Sequence, residues 1–116
     1  MKKVLVVDDQ LSIRKLIDEV LNDEYEIKTA GTAEEAIRIC AQYVPDIILL
    51  DLGLPGRDGV DILPLLKNMI PDCKIVILSA IVNSFVLKKV FSLGASGYIG
   101  KPFDIFKMKD FIDGIK

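Results

Sequence analysis

Apolar positions along this chain switch repeatedly between short unbroken runs and a spacing of three to four residues, and each switch is punctuated by Gly, Pro or an acidic residue. Val4 to Val7, Ile47 to Leu50 and Ile75 to Leu78 are apolar at every position, as strands covered on both faces must be. After the first of them, Ile13, Leu16, Ile17, Val20 and Leu21 fall on one face of a helix over roughly Ser12 to Leu21. Tyr25 to Thr29 alternates instead, which suits an edge strand. Thr32-Ala33-Glu34-Glu35 has capping-box spacing and opens a second helix that carries Ala36, Ile37, Ile39 and Cys40 and stops before Pro45. A third helix is expected over Asp61 to Met69 and a fourth over Ser84 to Leu93, with Gly94 placed as a left-handed cap. A short strand at Gly97 to Ile99 precedes a last helix with Ile105, Met108, Phe111, Ile112 and Ile115 on one stripe. Pro64 is the local misfit: without an amide hydrogen it is tolerated only near a helix start, so the third helix is predicted to begin late or to kink there.

Strands apolar throughout, alternating with helices, predict an α/β protein built on a parallel sheet covered on both sides. At 116 residues the chain reads as one domain, 1–116, large enough to bury roughly 65% of its unfolded surface without disulfide staples. Bound groups in such sheets collect at the carboxyl ends of the strands, near the point where strand order reverses.

Composition narrows the chemistry. Fifteen Lys and Arg against seventeen Asp and Glu leave a formal charge of −2, so there is no basic field to hold a nucleic acid. No apolar run approaches the 20 or so residues of a bilayer span, and Met1-Lys2-Lys3 runs straight into a strand instead of a secretion signal; a cytoplasmic location is expected. Cys40 and Cys73 lack C-x-x-C spacing and read as buried free thiols. There is no histidine, which removes Ser-His and Cys-His nucleophile pairs, His-ligated zinc and a phosphohistidine of the chain's own.

What remains is carboxylate, hydroxyl and lysine chemistry. Asp8 and Asp9 follow the first strand, Asp51 the third, Ser79 the fourth and Lys101 the fifth, so all converge on one edge. Two carboxylates about 4 Å apart repel by roughly 4 kcal/mol at an effective dielectric of 20, so this gathering calls for positive charge. Lys101 supplies one unit and a hard cation would supply two. An all-oxygen set with room for waters suits Mg²⁺, with Mn²⁺ tolerated. Such a site serves phosphoryl transfer, with Asp51 at its strand tip as the nucleophile. Taken singly these residues are ordinary: Asp8 and Asp9 a helix cap, Ser79 a strand-end hydroxyl, Lys101 a solvated charge.

The set Val6-Val7-Asp8-Asp9, Leu50-Asp51-Leu52-Gly53-Leu54-Pro55-Gly56-Arg57-Asp58-Gly59, Leu78-Ser79-Ala80 and Gly94-Ala95-Ser96-Gly97-Tyr98-Ile99-Gly100-Lys101-Pro102-Phe103-Asp104 resembles the response-regulator receiver family of two-component signalling across essentially the whole chain. Asp8-Asp9-Gln10 and Lys101 to Ile105 are most similar to its stand-alone sporulation-phosphorelay members. The resemblance implies a flavodoxin-like, doubly wound sheet of five strands in the order 2-1-3-4-5 with five helices. It implies a phosphoacceptor switch, not a conventional enzyme, that takes a phosphoryl group onto Asp51 with self-catalysed gain and loss. Asp9 and Asp51 would hold the metal, Asp8 mostly through water, with the Gly53 carbonyl as a further ligand. Lys101 would pair with one phosphoryl oxygen and the Ser79 hydroxyl with another, and the peptide before Pro102 would be cis. Tyr98 stands at the family's aromatic switch position, although its residue type alone says only half-buried aromatic. Gly53 and Ile81 flank the expected acyl phosphate, the one opening space for water and the other excluding it. Gln10, Ile13, Leu16 and Phe103 could form a patch that docks a helical partner.

The implied donor is a phosphohistidine on a sensor kinase or a histidine phosphotransferase, and a downstream effector is a further implied partner. Two other readings stand beside this one. A flavin-phosphate module of similar fold is disfavoured because Asp8-Asp9-Gln10 offers carboxylates where a phosphate cradle needs donors. A receiver cut from a longer transcriptional regulator fits the same residues equally well.

Overall fold

Unbroken runs of Val, Ile and Leu in three strands force those runs to the middle of a sheet, where both faces are dry. In the computed structural model, which describes residues 1–80 and 83–115, the elements run β1 (Lys2–Val7), α1 (Leu11–Leu21), β2 (Tyr25–Ala30), α2 (Ala33–Cys40), β3 (Ile47–Leu50), α3 (Gly59–Met69), β4 (Lys74–Ser79), α4 (Ser84–Ser92), β5 (Gly97–Gly100) and α5 (Ile105–Ile115). The strands form one parallel sheet in the order β2-β1-β3-β4-β5. The doubly wound fold and its strand order are those expected, and β2 is an edge strand with its middle positions at least partly exposed.

Alternation along each strand divides the interior into two cores. Leu5, Val7, Ile48, Leu50, Ile75 and Ile77 face α2, α3 and α4, packing on Ala36, Ile62, Leu66 and Val90. Val4, Val6, Ile47, Leu49, Val76 and Leu78 face α1 and α5, packing on Ile17, Leu21, Met108 and Ile112. Each fully buried side chain of this size contributes about 1.5–3 kcal/mol, and cutting one back to Ala costs about 2–5 kcal/mol once the cavity is counted.

Local signals set most helix ends. The Thr32 hydroxyl accepts from the Glu35 amide at 3.1 Å, while the Glu35 carboxylate accepts from the Gly31 amide at 2.6 Å, so the return bond lands one residue before the cap. Gly94, at φ 107°, ends α4 with Ala95 N donating to Val90 O and Gly94 N to Phe91 O, the paired bonds of a Schellman close. Helix α3 departs from expectation: it begins at Gly59, two residues earlier than the apolar spacing suggested, and Pro64 lies inside it. The early start follows from Asp58, whose side chain accepts from the Val60 amide at 2.9 Å and caps the helix. Pro64 is exposed, so water can serve the carbonyl that its missing amide leaves without a donor.

Candidate functional site

Asp8, Asp51 and Lys101 are held at the rim by the sheet itself, and Ser79 is the last residue of β4. Beyond the last rung between β1 and β2, the Asp8 amide donates to Ala30 O at 3.0 Å; the Asp51 amide donates to Val7 O at 2.9 Å, and the Lys101 amide to Ser79 O at 3.1 Å. Three of the site's side chains therefore leave backbone that is pinned to the neighbouring strand, which fixes their relative positions to the precision of a ladder.

Asp8, Asp9 and Asp51 each bring a carboxylate oxygen within 4.8 Å of the others. Asp8 has no exposed surface, Asp51 is 6% exposed and Asp9 is open to solvent. The Asp8 Oδ1 accepts from the Gln10 amide at 2.9 Å and its Oδ2 from Lys101 Nζ at 2.6 Å. On Asp51, Oδ1 accepts from the Gly53 amide at 3.0 Å and Oδ2 from Lys101 Nζ at 3.2 Å. Lys101 thus bridges two carboxylates and also donates to Gln10 Oε1 at 3.2 Å. Burial by itself would lower the Lys101 pKa, but the hydrogen bonds to Asp8 and then Asp51, with their charges, overcome it and raise it above the ordinary value.

Three carboxylates against one ammonium leave two negative charges unmatched. Asp9, Asp51, Gly53, Ser79 and Lys101 line a cavity of about 260 Å³ in front of them. Ser79 is buried, and among the described residues no buried side-chain nitrogen or oxygen lacks a hydrogen-bond partner. The donor set is carboxylate and carbonyl oxygen with space for water, which fits Mg²⁺ and does not fit a soft, thiolate-seeking metal. Gly53 lies at that mouth and is exposed; Ile81, expected on the opposite flank, lies outside the described residues.

Tyr98 is partly buried against the α4 side of the sheet, and its hydroxyl donates to Ser79 O at 3.1 Å. Gly100 leaves the room for it, since a Cβ there would meet the Tyr98 hydroxyl at 2.8 Å. The Lys101-Pro102 peptide is cis. Gln10, Ile13, Leu16 and Phe103, far apart in sequence, line one groove of about 430 Å³ together with Ala80, Lys101 and Pro102. That groove shares Gln10, Ala80 and Lys101 with the acidic cavity, so the two open into one another.

Two contacts were not legible beforehand. Arg14, one turn into α1, donates from Nη1 to the Asp8 carbonyl at 2.6 Å, a contact that no motif or spacing in the sequence signals. Gln10 adds its side chain to the Lys101 bridge; its position directly after the two aspartates was the available signal.

Comparison with known proteins places the chain in a family. Residues 4–113 match the family model described as the response regulator receiver domain. The chain is 36% identical over 110 residues to sporulation initiation phosphotransferase F of Bacillus subtilis, covering 94% of this chain and 89% of the relative. It is 34% identical over 115 residues to the chemotaxis protein CheY of Halobacterium salinarum, covering 98% of this chain and 96% of the relative. Among solved structures, the Vibrio cholerae chemotaxis protein CheY4 superposes with a TM-score of 0.93 at 26% identity, covering 100% of this chain and 99% of that one.

Proposed function

Since the chain belongs to the response regulator receiver family of two-component and phosphorelay signalling, we propose that its residues 1–116 act as one phosphoacceptor unit with Asp51 as the acceptor. The observation that carries the assignment is Lys101 bridging Asp8 and Asp51 beside Asp9, an acidic cluster short of positive charge at the mouth of a cavity sized for a phosphoryl group and waters.

An Asp51 carboxylate oxygen attacks phosphorus of a phosphohistidine on a partner; the Asp51 O–P bond forms, the donor N–P bond breaks, and the imidazole leaves with its electron pair and takes up a proton. This chain has no histidine, so the donor lies on another protein, a sensor kinase or a histidine phosphotransferase. Mg²⁺, held by Asp9, Asp51 and the Gly53 carbonyl with Asp8 acting through water, would neutralise charge on the phosphoryl oxygens. Lys101 turns from Asp51 to one phosphoryl oxygen, and the Ser79 hydroxyl bonds another. Tyr98, already bonded to the Ser79 carbonyl, couples any shift of Ser79 to the face made by α4, β5 and α5. The groove lined by Gln10, Ile13, Leu16 and Phe103 receives the donor's helices, because its apolar floor opens directly onto the acceptor cavity. Return of the acceptor to its free state by attack of water needs no partner and is part of this reading; a downstream effector reads the switched face.

Incubation with acetyl phosphate and Mg²⁺ tests it. Intact mass should rise by one phosphoryl group, and Asp51→Asn should stay unmodified. A folded wild-type protein whose mass does not change under these conditions would refute the assignment.

A further inference from the structure

Helix α1 starts at a position where Ser, Thr, Asp or Asn would cap it, and instead carries Gln10, whose side chain makes no cap bond. Thr32, Asp58 and Asn83 all cap their own helices with their side chains, so α1 breaks the pattern of its neighbours. A residue that gives up a local stabilising bond is a place to look for a different duty.

The Gln10 side chain is turned to Lys101, with Oε1 accepting from Nζ at 3.2 Å. Its backbone amide donates to Asp8 Oδ1 at 2.9 Å, while the other oxygen of that carboxylate holds Lys101. Gln10 and Lys101 therefore hang from one buried anchor, and both stand where the acidic cavity meets the apolar groove.

We infer that Gln10 is a positioning residue for Lys101 in phosphoryl acceptance, an inference that rests on the reading of Asp51 as the acceptor. The other two partners of the ammonium are carboxylates, and a divalent ion or a phosphoryl group would claim both of them. As their charge is taken up, their hold on Nζ falls. A neutral amide oxygen loses nothing in that exchange, so Gln10 keeps the ammonium at the rim, facing the arriving phosphoryl group. Neutrality also matters on the outside of the cavity, because a carboxylate in the same place would repel that group.

The test uses Gln10→Met, of similar length but with no acceptor, and Gln10→Glu, which keeps an acceptor and adds charge. Three quantities are read: the ammonium signal of Lys101 in NMR without metal, the Mg²⁺ dissociation constant by calorimetry, and the rate of modification by acetyl phosphate. With its third acceptor gone, Lys101 settles onto Asp8 and Asp51 and competes harder with the ion. Gln10→Met should therefore shift the ammonium signal, weaken Mg²⁺ binding about fivefold and slow modification by a similar factor. Gln10→Glu should keep the ammonium in place and bind Mg²⁺ at least as tightly as the wild type, yet still slow modification. If Gln10→Met matches the wild type in all three, the inference is overturned, and a loss of rate confined to a phosphohistidine protein as donor would leave Gln10 as a docking contact alone. Wild-type modification in the same experiment reports on the Asp51 assignment separately, and the metal-free signal reports on Gln10 whatever that outcome.

Discussion

Replacing Lys101 with Met keeps most of the stem and removes the ammonium, leaving Asp8 with no exposed surface and the Asp51 side chain at 9% exposure, both without their shared counter-charge. At an effective dielectric of 20 the attraction across 2.6 Å and 3.2 Å is about 6 and 5 kcal/mol before solvation is counted. Most of that is offset by removing three charged groups from water, and a lysine side chain with 13% of its surface exposed retains some screening. A net loss of about 2–3 kcal/mol is expected in metal-free buffer, which for a domain of this size lowers the melting temperature by roughly 8–12 °C. Millimolar Mg²⁺ should recover most of it, and the variant should gain more degrees from the ion than the wild type, because no ammonium has to be displaced. Thermal unfolding followed by circular dichroism, with EDTA and then with Mg²⁺, reads both effects. A Lys101→Met protein that melts at or above the wild-type temperature in EDTA would refute the reasoning, since it would mean that the carboxylates do not repel one another.

Asp9 contributes to the same crowding, and no hydrogen bond from Lys101 rewards it, so Asp9→Asn should stabilise the metal-free protein by about 0.5–1 kcal/mol while weakening Mg²⁺ binding tenfold or more; urea denaturation and calorimetry would give the two signs. Gly59→Ala should cost about 2–3 kcal/mol and disturb acceptance at Asp51, because a Cβ there meets Asp51 O and Leu52 Cα at 2.7 Å, both backbone atoms that cannot swing away; melting temperature and acetyl phosphate modification would check it. Burial pushes the Cys40 thiol from 9.0 up to about 11, and burial followed by the neighbouring Cys40 pushes Cys73 up to about 12. Both folded values lie above the unfolded ones, so the stability these thiols contribute is complete below pH 9 and is lost as pH climbs through 11 to 12. Iodoacetamide should label neither cysteine at neutral pH unless denaturant is present, and the urea midpoint should fall between pH 9 and pH 11.

The strands and the site residues were legible because they rest on patterns that few other structures satisfy. Val4 to Val7, Ile47 to Leu50 and Ile75 to Leu78 have no polar position to turn to water, so they could only be central strands, and whatever polar residue follows such a strand must stand at its rim. Asp8, Asp51 and Ser79 inherit their places from that rule, and Lys101 takes its place from the short fifth strand beside β4. The start of α3 lies earlier than apolar spacing indicates because its first turn is held by the Asp58 side chain, so Pro64 falls inside the helix and not near a late start. The bonds of Arg14 and Gln10 stayed hidden for another reason: long polar side chains on an exposed first turn have many rotamers, and only the three-dimensional position of Asp8 and Lys101 selects one.

The bridge from Lys101 to Asp8 joins residues 93 apart in sequence and ties the end of β5 to the end of β1 across the two strands between them. It acts as a tie-rod over the rim, and it can be fastened only when the fifth strand has taken its seat. A shortened or half-folded chain would still own its aspartates but not the lysine that manages them. The bond that gathers the rim's charges is therefore also a report that the sheet is complete, made by the strand that comes last in sequence.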